Sequence, residues 1–174
     1  MFDEQFLRGK IRAINDYPKK GIVFRDITTL IKDGAAFRMC IDQLAKELEG
    51  KNIDYVVGVE ARGFIFGAAL AYKMGKGFVP VRKKGKLPYD TVSKEYDLEY
   101  ASATIEMHKD SIEKDSSVVL IDDLLATGGT AKAAADLISE IGGKVEAIAF
   151  IVELTDLNGK EKLSNYDVMS LIKY

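Results

Sequence analysis

The chain has 174 residues, 25 Lys+Arg against 27 Asp+Glu, a formal net charge of −2 and 47% hydrophobic residues. That length fits one domain with one sizeable core, and the composition excludes wholesale disorder. The near-neutral balance argues against nucleic-acid binding through a strongly basic surface, and the single Cys40 excludes an intrachain disulfide framework or a multi-cysteine metal cluster.

In chain order, residues 3–14 are expected to form an amphipathic helix, with Phe6, Leu7, Ile11 and Ile14 on one face. Pro18 and Gly21 then break it. Phe37, Cys40, Ile41, Leu44, Ala45 and Leu48 recur at helical spacing over 34–50, closed by Gly50. Cys40 lies on that stripe and reads as plain core. Residues 54–59 form a short β-branched run, residues 63–74 a helix, and 78–81 a further strand in which Pro80 needs a place without a ladder N–H. Residues 117–121 are a buried strand, 130–141 an alanine-rich helix and 145–152 another strand. Nearly all-apolar strands alternating with helices specify a doubly wound α/β fold, a mostly parallel central sheet flanked by helices.

Residues 82–101 break this rhythm with Arg82, Lys83, Lys84, Lys86 and Lys94, the breakers Gly85 and Pro88, and three tyrosines. A connection this long is either a functional lid or a solvated basic hairpin. His108, the only histidine, has no cysteine or second histidine to make a metal site and is expected on the surface. No run reaches the roughly 18 apolar residues of a membrane helix, and no signal-peptide pattern opens the chain. One cytoplasmic domain is expected, with neither membrane nor nucleic-acid partner; the lone cysteine fits a reducing compartment.

In parallel sheets the ligand crevice lies beyond the C-terminal strand ends. Strand 117–121 is followed by Asp122 and Asp123, then Ala126, Thr127, Gly128, Gly129 and Thr130 opening a helix. Such a turn can aim backbone N–H groups, hydroxyls and a helix dipole at a phosphate. It lacks the Gly-Lys-Ser/Thr of a P-loop, and its adjacent glycines are not a dinucleotide fingerprint. Two acids beside a phosphate cradle make sense if they hold ribose hydroxyls, or water on Mg²⁺. The combination describes a phosphorylated sugar with vicinal hydroxyls.

Val118–Thr130 resembles throughout the hallmark of the type I phosphoribosyltransferases. Gly21–Ile27, Val57–Phe64, Leu98–Tyr100 and Val152–Thr155 resemble, in order and spacing, the adenine phosphoribosyltransferase branch of that family. The resemblance implies a fold with a small N-terminal hood (about 1–33) and a flexible lid loop (about 82–101). It implies the making of AMP and pyrophosphate from adenine and 5-phosphoribosyl 1-pyrophosphate. Mg²⁺ would be held mainly by substrate, with no direct protein ligand and Asp122 and Asp123 nearby.

Within the family, Glu60, Ala61, Arg62 and Gly63 correspond to the pyrophosphate turn, which carries a non-proline cis peptide there. Arg82, Lys83 and Lys86 correspond to a second pyrophosphate-contacting group that a neighbouring subunit can lend, so a homodimer is implied. Glu99 corresponds to the lid glutamate that handles the adenine proton, and Arg62 joins it as catalytic. Val23 and Leu154 correspond to the apolar pair that sandwiches the base, although core packing explains both equally well. Phe24 and Arg25 would read the adenine edge through their backbone. Orotate, xanthine and hypoxanthine-guanine enzymes are the rivals, Phe24–Ile27 favouring adenine. A regulator that keeps the fold and binds the sugar as effector is the rival from another class.

Overall fold

The computed structural model describes residues 2–97 and 102–174. Its centre is a seven-stranded sheet made of β3 (Tyr55–Val59), β4 (Gly77–Lys83), β5 (Thr91–Asp97), β6 (Ser102–His108), β7 (Ser117–Leu125), β8 (Lys144–Glu153) and β9 (Val168–Lys173). The order is β5-β6-β4-β3-β7-β8-β9. The pairs β3/β4, β3/β7, β7/β8 and β8/β9 are parallel, whereas β4/β6 and β5/β6 are antiparallel. Pro80 sits opposite Gly58, and β6 reaches β4 only at Arg82 and Lys83, so the ring meets no ladder demand for an N–H on that side.

Alternation along β7 explains why helices cover both faces. Val119 and Ile121 enter one core with α3 (Gly34–Glu47) and α4 (Arg62–Met74), while Val118 and Leu120 enter the other with α5 (Gly129–Glu140). A central strand apolar on both faces can be satisfied only between two such layers. α3 carries the expected stripe, and the Asp33 carboxylate caps it by accepting from Ala35 N at 3.0 Å and Ala36 N at 3.1 Å.

The N-terminal segment departs from the expected helix over 3–14. Helix α1 spans only Glu4–Gly9, and Arg12–Asn15 is strand β1, antiparallel to β2 (Val23–Asp26). Pairing with a strand eleven residues on overrides a spacing that also fits a helix. With α2 (Thr28–Lys32) this ribbon forms the small N-terminal unit. Buried Leu7, Ile11, Ile27 and Leu30 join the first core, so the unit shares that core.

The irregular stretch after β4 is largely a ribbon: β5 pairs with β6 in continuous register from Thr91↔His108 to Asp97↔Ser102. His108, expected on the surface, is only partly exposed. Its ring is half-buried, edge-on to Tyr89 at 6.2 Å, and its Nε2 is buried without a hydrogen-bond partner among the described residues. It is the last residue of β6, paired with Thr91 across the ribbon, a placement a polar local sequence does not signal. Among the described residues no helix is long and apolar enough to cross a membrane.

Candidate active site

The Gly-rich turn follows β7, which runs four residues further than the apolar run suggests. Asp122 and Asp123 therefore lie within the strand. Asp123 is only 6% exposed. A carboxylate this buried needs a partner, and Arg62 supplies one, its Nε 2.9 Å from Asp123 Oδ2. Burial pushes the Asp122 carboxyl well above its ordinary value, and the Asp123 charge beside it pushes the same way.

Beyond the acids, Ala126, Thr127, Gly128, Gly129 and Thr130 line a cavity of ≈ 120 Å³, with Asp122 at one side. Gly128 has φ +79, which turns the chain into α5. Backbone N–H groups at the head of this twelve-residue helix have no intrahelical acceptor, so they can serve as donors to an anion in the cavity. The turn is braced from outside: a Cβ on Gly128 would stand 2.4 Å from Gly159 O, and one on Gly159 would stand 2.2 Å from Ala126 O. Gly159, in a short 3-10 turn after β8, escaped sequence reasoning because nothing local marks it as a neighbour of residue 128.

The turn Glu60–Gly63 leaves β3 beside β7. Its Glu60–Ala61 peptide is cis. Gly63 packs so closely on β7 that a Cβ would lie 2.9 Å from Ile121 O and 3.0 Å from Asp122 Oδ1. Arg62 is thereby held against Asp123 on one side, while its guanidinium carbon lies 5.9 Å from the centre of the Phe24 ring on the other. That contact brings the N-terminal ribbon to the strand ends.

Glu60 does not stand as a free carboxylate. Its Oε2 accepts from Arg82 Nε and from Lys83 N, each at 3.1 Å. Burial pushes this carboxyl up, but the Lys83 N–H, the Arg82 hydrogen bond and the nearby Arg82 and Lys86 charges outweigh it, leaving the group below its ordinary value. Arg82, Lys83 and Lys86 form a basic corner, with Arg82 Nη1 donating to Lys86 O at 3.1 Å. Glu106, invisible to motif reading, lies beneath: 5% exposed, its Oε1 accepts from Lys86 N and Leu87 N, each at 3.0 Å.

On the ribbon, Val23 is 41% exposed, which core packing does not explain. Phe24 is half-buried and meets Tyr17 edge-on at 5.3 Å. The Arg25 guanidinium lies 3.9 Å above the Tyr174 ring, with Arg8 also on that ring at 4.7 Å. Leu154 is half-buried against the first core, and its N–H donates to Leu125 O at 2.9 Å. Glu99 lies outside the described residues. The strand ends thus bring together an anion cradle, two acids and two sets of cations, with an exposed apolar residue on the ribbon. This arrangement can hold a phosphate, hydroxyls and a second, more highly charged anion at once.

Residues 28–173 match the model of the phosphoribosyl transferase domain family. The adenine phosphoribosyltransferase of Clostridium kluyveri is 59% identical over 97% of this chain and 98% of its own. The crystal structure of adenine phosphoribosyltransferase from Thermoanaerobacter pseudethanolicus is 53% identical, with a TM-score of 0.96 over 99% of this chain and 100% of that one. The Saccharomyces cerevisiae enzyme, solved with an imino-altritol bisphosphate and adenine, is 38% identical with a TM-score of 0.92 over 97% and 98%.

Proposed function

The chain belongs to the phosphoribosyltransferase family, and on that premise we propose that it works in purine salvage, joining adenine to 5-phosphoribosyl 1-pyrophosphate to give AMP and pyrophosphate. The observation that carries this reading is the near-full-length similarity to adenine phosphoribosyltransferases, on a site whose cradle, acids and cations suit a sugar bearing phosphate and pyrophosphate.

The N9–C1′ bond forms as the C1′–O bond to pyrophosphate breaks, and the base gives up its N–H proton. Charge develops on the departing pyrophosphate, so catalysis needs donors and cations there. Arg62 and the basic corner Arg82, Lys83 and Lys86 stand in that role, and the residue 126–130 turn anchors the 5′-phosphate. Asp122 and Asp123 hold ribose hydroxyls. Val23 and Leu154 flank the base, and the Phe24 and Arg25 backbone reads its edge, so a 6-oxo base leaves polar groups mispaired. Glu99 takes the proton, and the segment 87–101 closes over the site to exclude water.

Mg²⁺ belongs to this reading as the partner of the substrate. Two adjacent carboxyl groups at the end of β7, one of them lining the cradle, are oxygen donors of the kind that a hard cation or its bound water takes. Bound with the sugar pyrophosphate, Mg²⁺ supplies charge neutralisation at the pyrophosphate oxygens. Asp122 and Asp123 would face it. We place the enzyme in the cytoplasm as a homodimer; exposed Ile65 and Tyr72 on α4, at 40% and 90%, offer an apolar face to a second copy.

The test is AMP formation from adenine with the sugar pyrophosphate and Mg²⁺, beside hypoxanthine, guanine, xanthine and orotate. Turnover of adenine alone is the expected result. Preference for another base overturns the role of Val23–Arg25, and binding of the sugar without turnover of any base favours an effector-binding regulator.

A further inference from the structure

Between Arg82 and Lys86 the chain carries four cations in five residues. Such a corner repels itself and would splay in water. Here its backbone is tied down N–H by N–H. Lys83 N donates to Glu60 Oε2 at 3.1 Å, Lys84 N to Thr104 O at 3.0 Å, and Lys86 N and Leu87 N both donate to Glu106 Oε1 at 3.0 Å. Glu60 comes from the end of β3, and Glu106 from the middle of β6, opposite Arg82 in the ladder.

Glu106 is the unusual member. It lies between buried Ile105 and Met107 and is itself 5% exposed. A carboxylate removed from water at that position is costly unless donors meet it. Two backbone N–H groups converging on one oxygen are charge-assisted bonds, about twice as strong as neutral ones. A structural corner could be closed by any hydrogen-bonded turn; a buried negative charge also offsets the cations it holds in place.

We propose that Glu106 is a positioning residue for the pyrophosphate end of the reaction: it fixes the Lys83–Leu87 backbone so that the basic corner is set before substrate arrives. This rests on the phosphoribosyl-transfer reading above. Cations fixed in advance need not be reorganised as charge develops on the leaving group. Glu106 reaches the substrate only through the corner, so its loss falls on the sugar pyrophosphate and spares the base.

The experiment compares wild type with Glu106→Ala, Glu106→Asp and Glu106→Gln in steady-state AMP formation, each substrate varied in turn, alongside calorimetric binding of inorganic pyrophosphate with Mg²⁺. For Glu106→Ala the KM for the sugar pyrophosphate is expected to rise about 10- to 100-fold, the span of a charged hydrogen bond. Pyrophosphate binding should weaken in step, while the KM for adenine stays within about twofold. Glu106→Gln keeps an acceptor oxygen in place without the charge and is expected to recover only part of the loss. Glu106→Asp, drawn back by one methylene, reads the same effect if the alanine variant fails to fold. Equal changes in both KM values, an unchanged KM for the sugar pyrophosphate, or a glutamine variant as impaired as alanine overturns the proposal and leaves the parent reading intact. A wild type that turns over no base and binds no pyrophosphate overturns both.

Discussion

Arg62 Nε lies 2.9 Å from Asp123 Oδ2, so the cation assigned to pyrophosphate rests on a carboxylate assigned to ribose. The pair joins the turn after β3 to the end of β7. Arg62 therefore balances a buried acid, and in the proposed reaction it also meets the leaving group. Arg62→Ala is expected to lower kcat/KM for the sugar pyrophosphate by about 10²–10³-fold, the usual effect of removing one preorganised donor. Arg62→Lys keeps the charge without the planar fork and should recover only part of it. Initial-rate measurements at saturating adenine give both values.

The cradle depends on two glycines that meet across the fold. Gly128→Ala puts a Cβ 2.4 Å from Gly159 O at φ +79, and Gly159→Ala puts one 2.2 Å from Ala126 O. A side chain forced into that φ costs about 1–3 kcal/mol before the clash is counted. Each variant is expected to lower Tm by at least about 4 °C and to raise the KM for the sugar pyrophosphate. Calorimetric melting with and without that ligand checks both effects.

Glu60 gives a pH signature. Its folded carboxyl titrates below the ordinary 4.5, so its contribution to stability is fully present above that value. It is lost as pH falls through the lowered folded value. Glu60→Gln should melt below wild type at pH 7, and the gap should narrow as pH falls through the lowered folded value. A gap that persists in acid would assign the loss to packing.

Cys40 is fully buried, and burial pushes its thiol up to about 12. At pH 8 the native enzyme is expected to resist a thiol-specific disulfide reagent, while the same protein in denaturant reacts with one equivalent. Reaction of the native form at the denatured rate would show that the α3 stripe opens readily.

Much of the fold was legible because its signals are local. The stripe Phe37–Leu48 repeats every three or four residues, and Val118–Ile121 is apolar without a break, so α3 and the heart of β7 are specified by neighbours in the chain. The start of the chain was not legible in this way. Phe6, Leu7, Ile11 and Ile14 fit a helical face, yet Arg12–Asn15 is a strand because Val23–Asp26 pairs with it. His108 reads as polar and exposed, but at the end of β6, paired with Thr91 and edge-on to Tyr89, it is only partly exposed and its Nε2 is buried. The short, mixed strand β9 gave no signal, being a strand only because β8 offers its edge.

By itself the sequence determined the phosphate turn, with its two acids, five small or hydroxylated residues and following helix, because a contiguous run of N–H groups needs only local backbone geometry. It also determined the order of strands and helices, since periodicity is a property of consecutive residues. The tertiary structure alone decided how the buried acids are satisfied. Asp123 meets the Arg62 guanidinium, Glu60 the Arg82 side chain and the Lys83 N–H, and Glu106 the N–H groups of Lys86 and Leu87, partners separated by roughly 20 to 60 residues. A buried charge is tolerable only where its partner is delivered within hydrogen-bond reach, and the register of one strand against another delivers it.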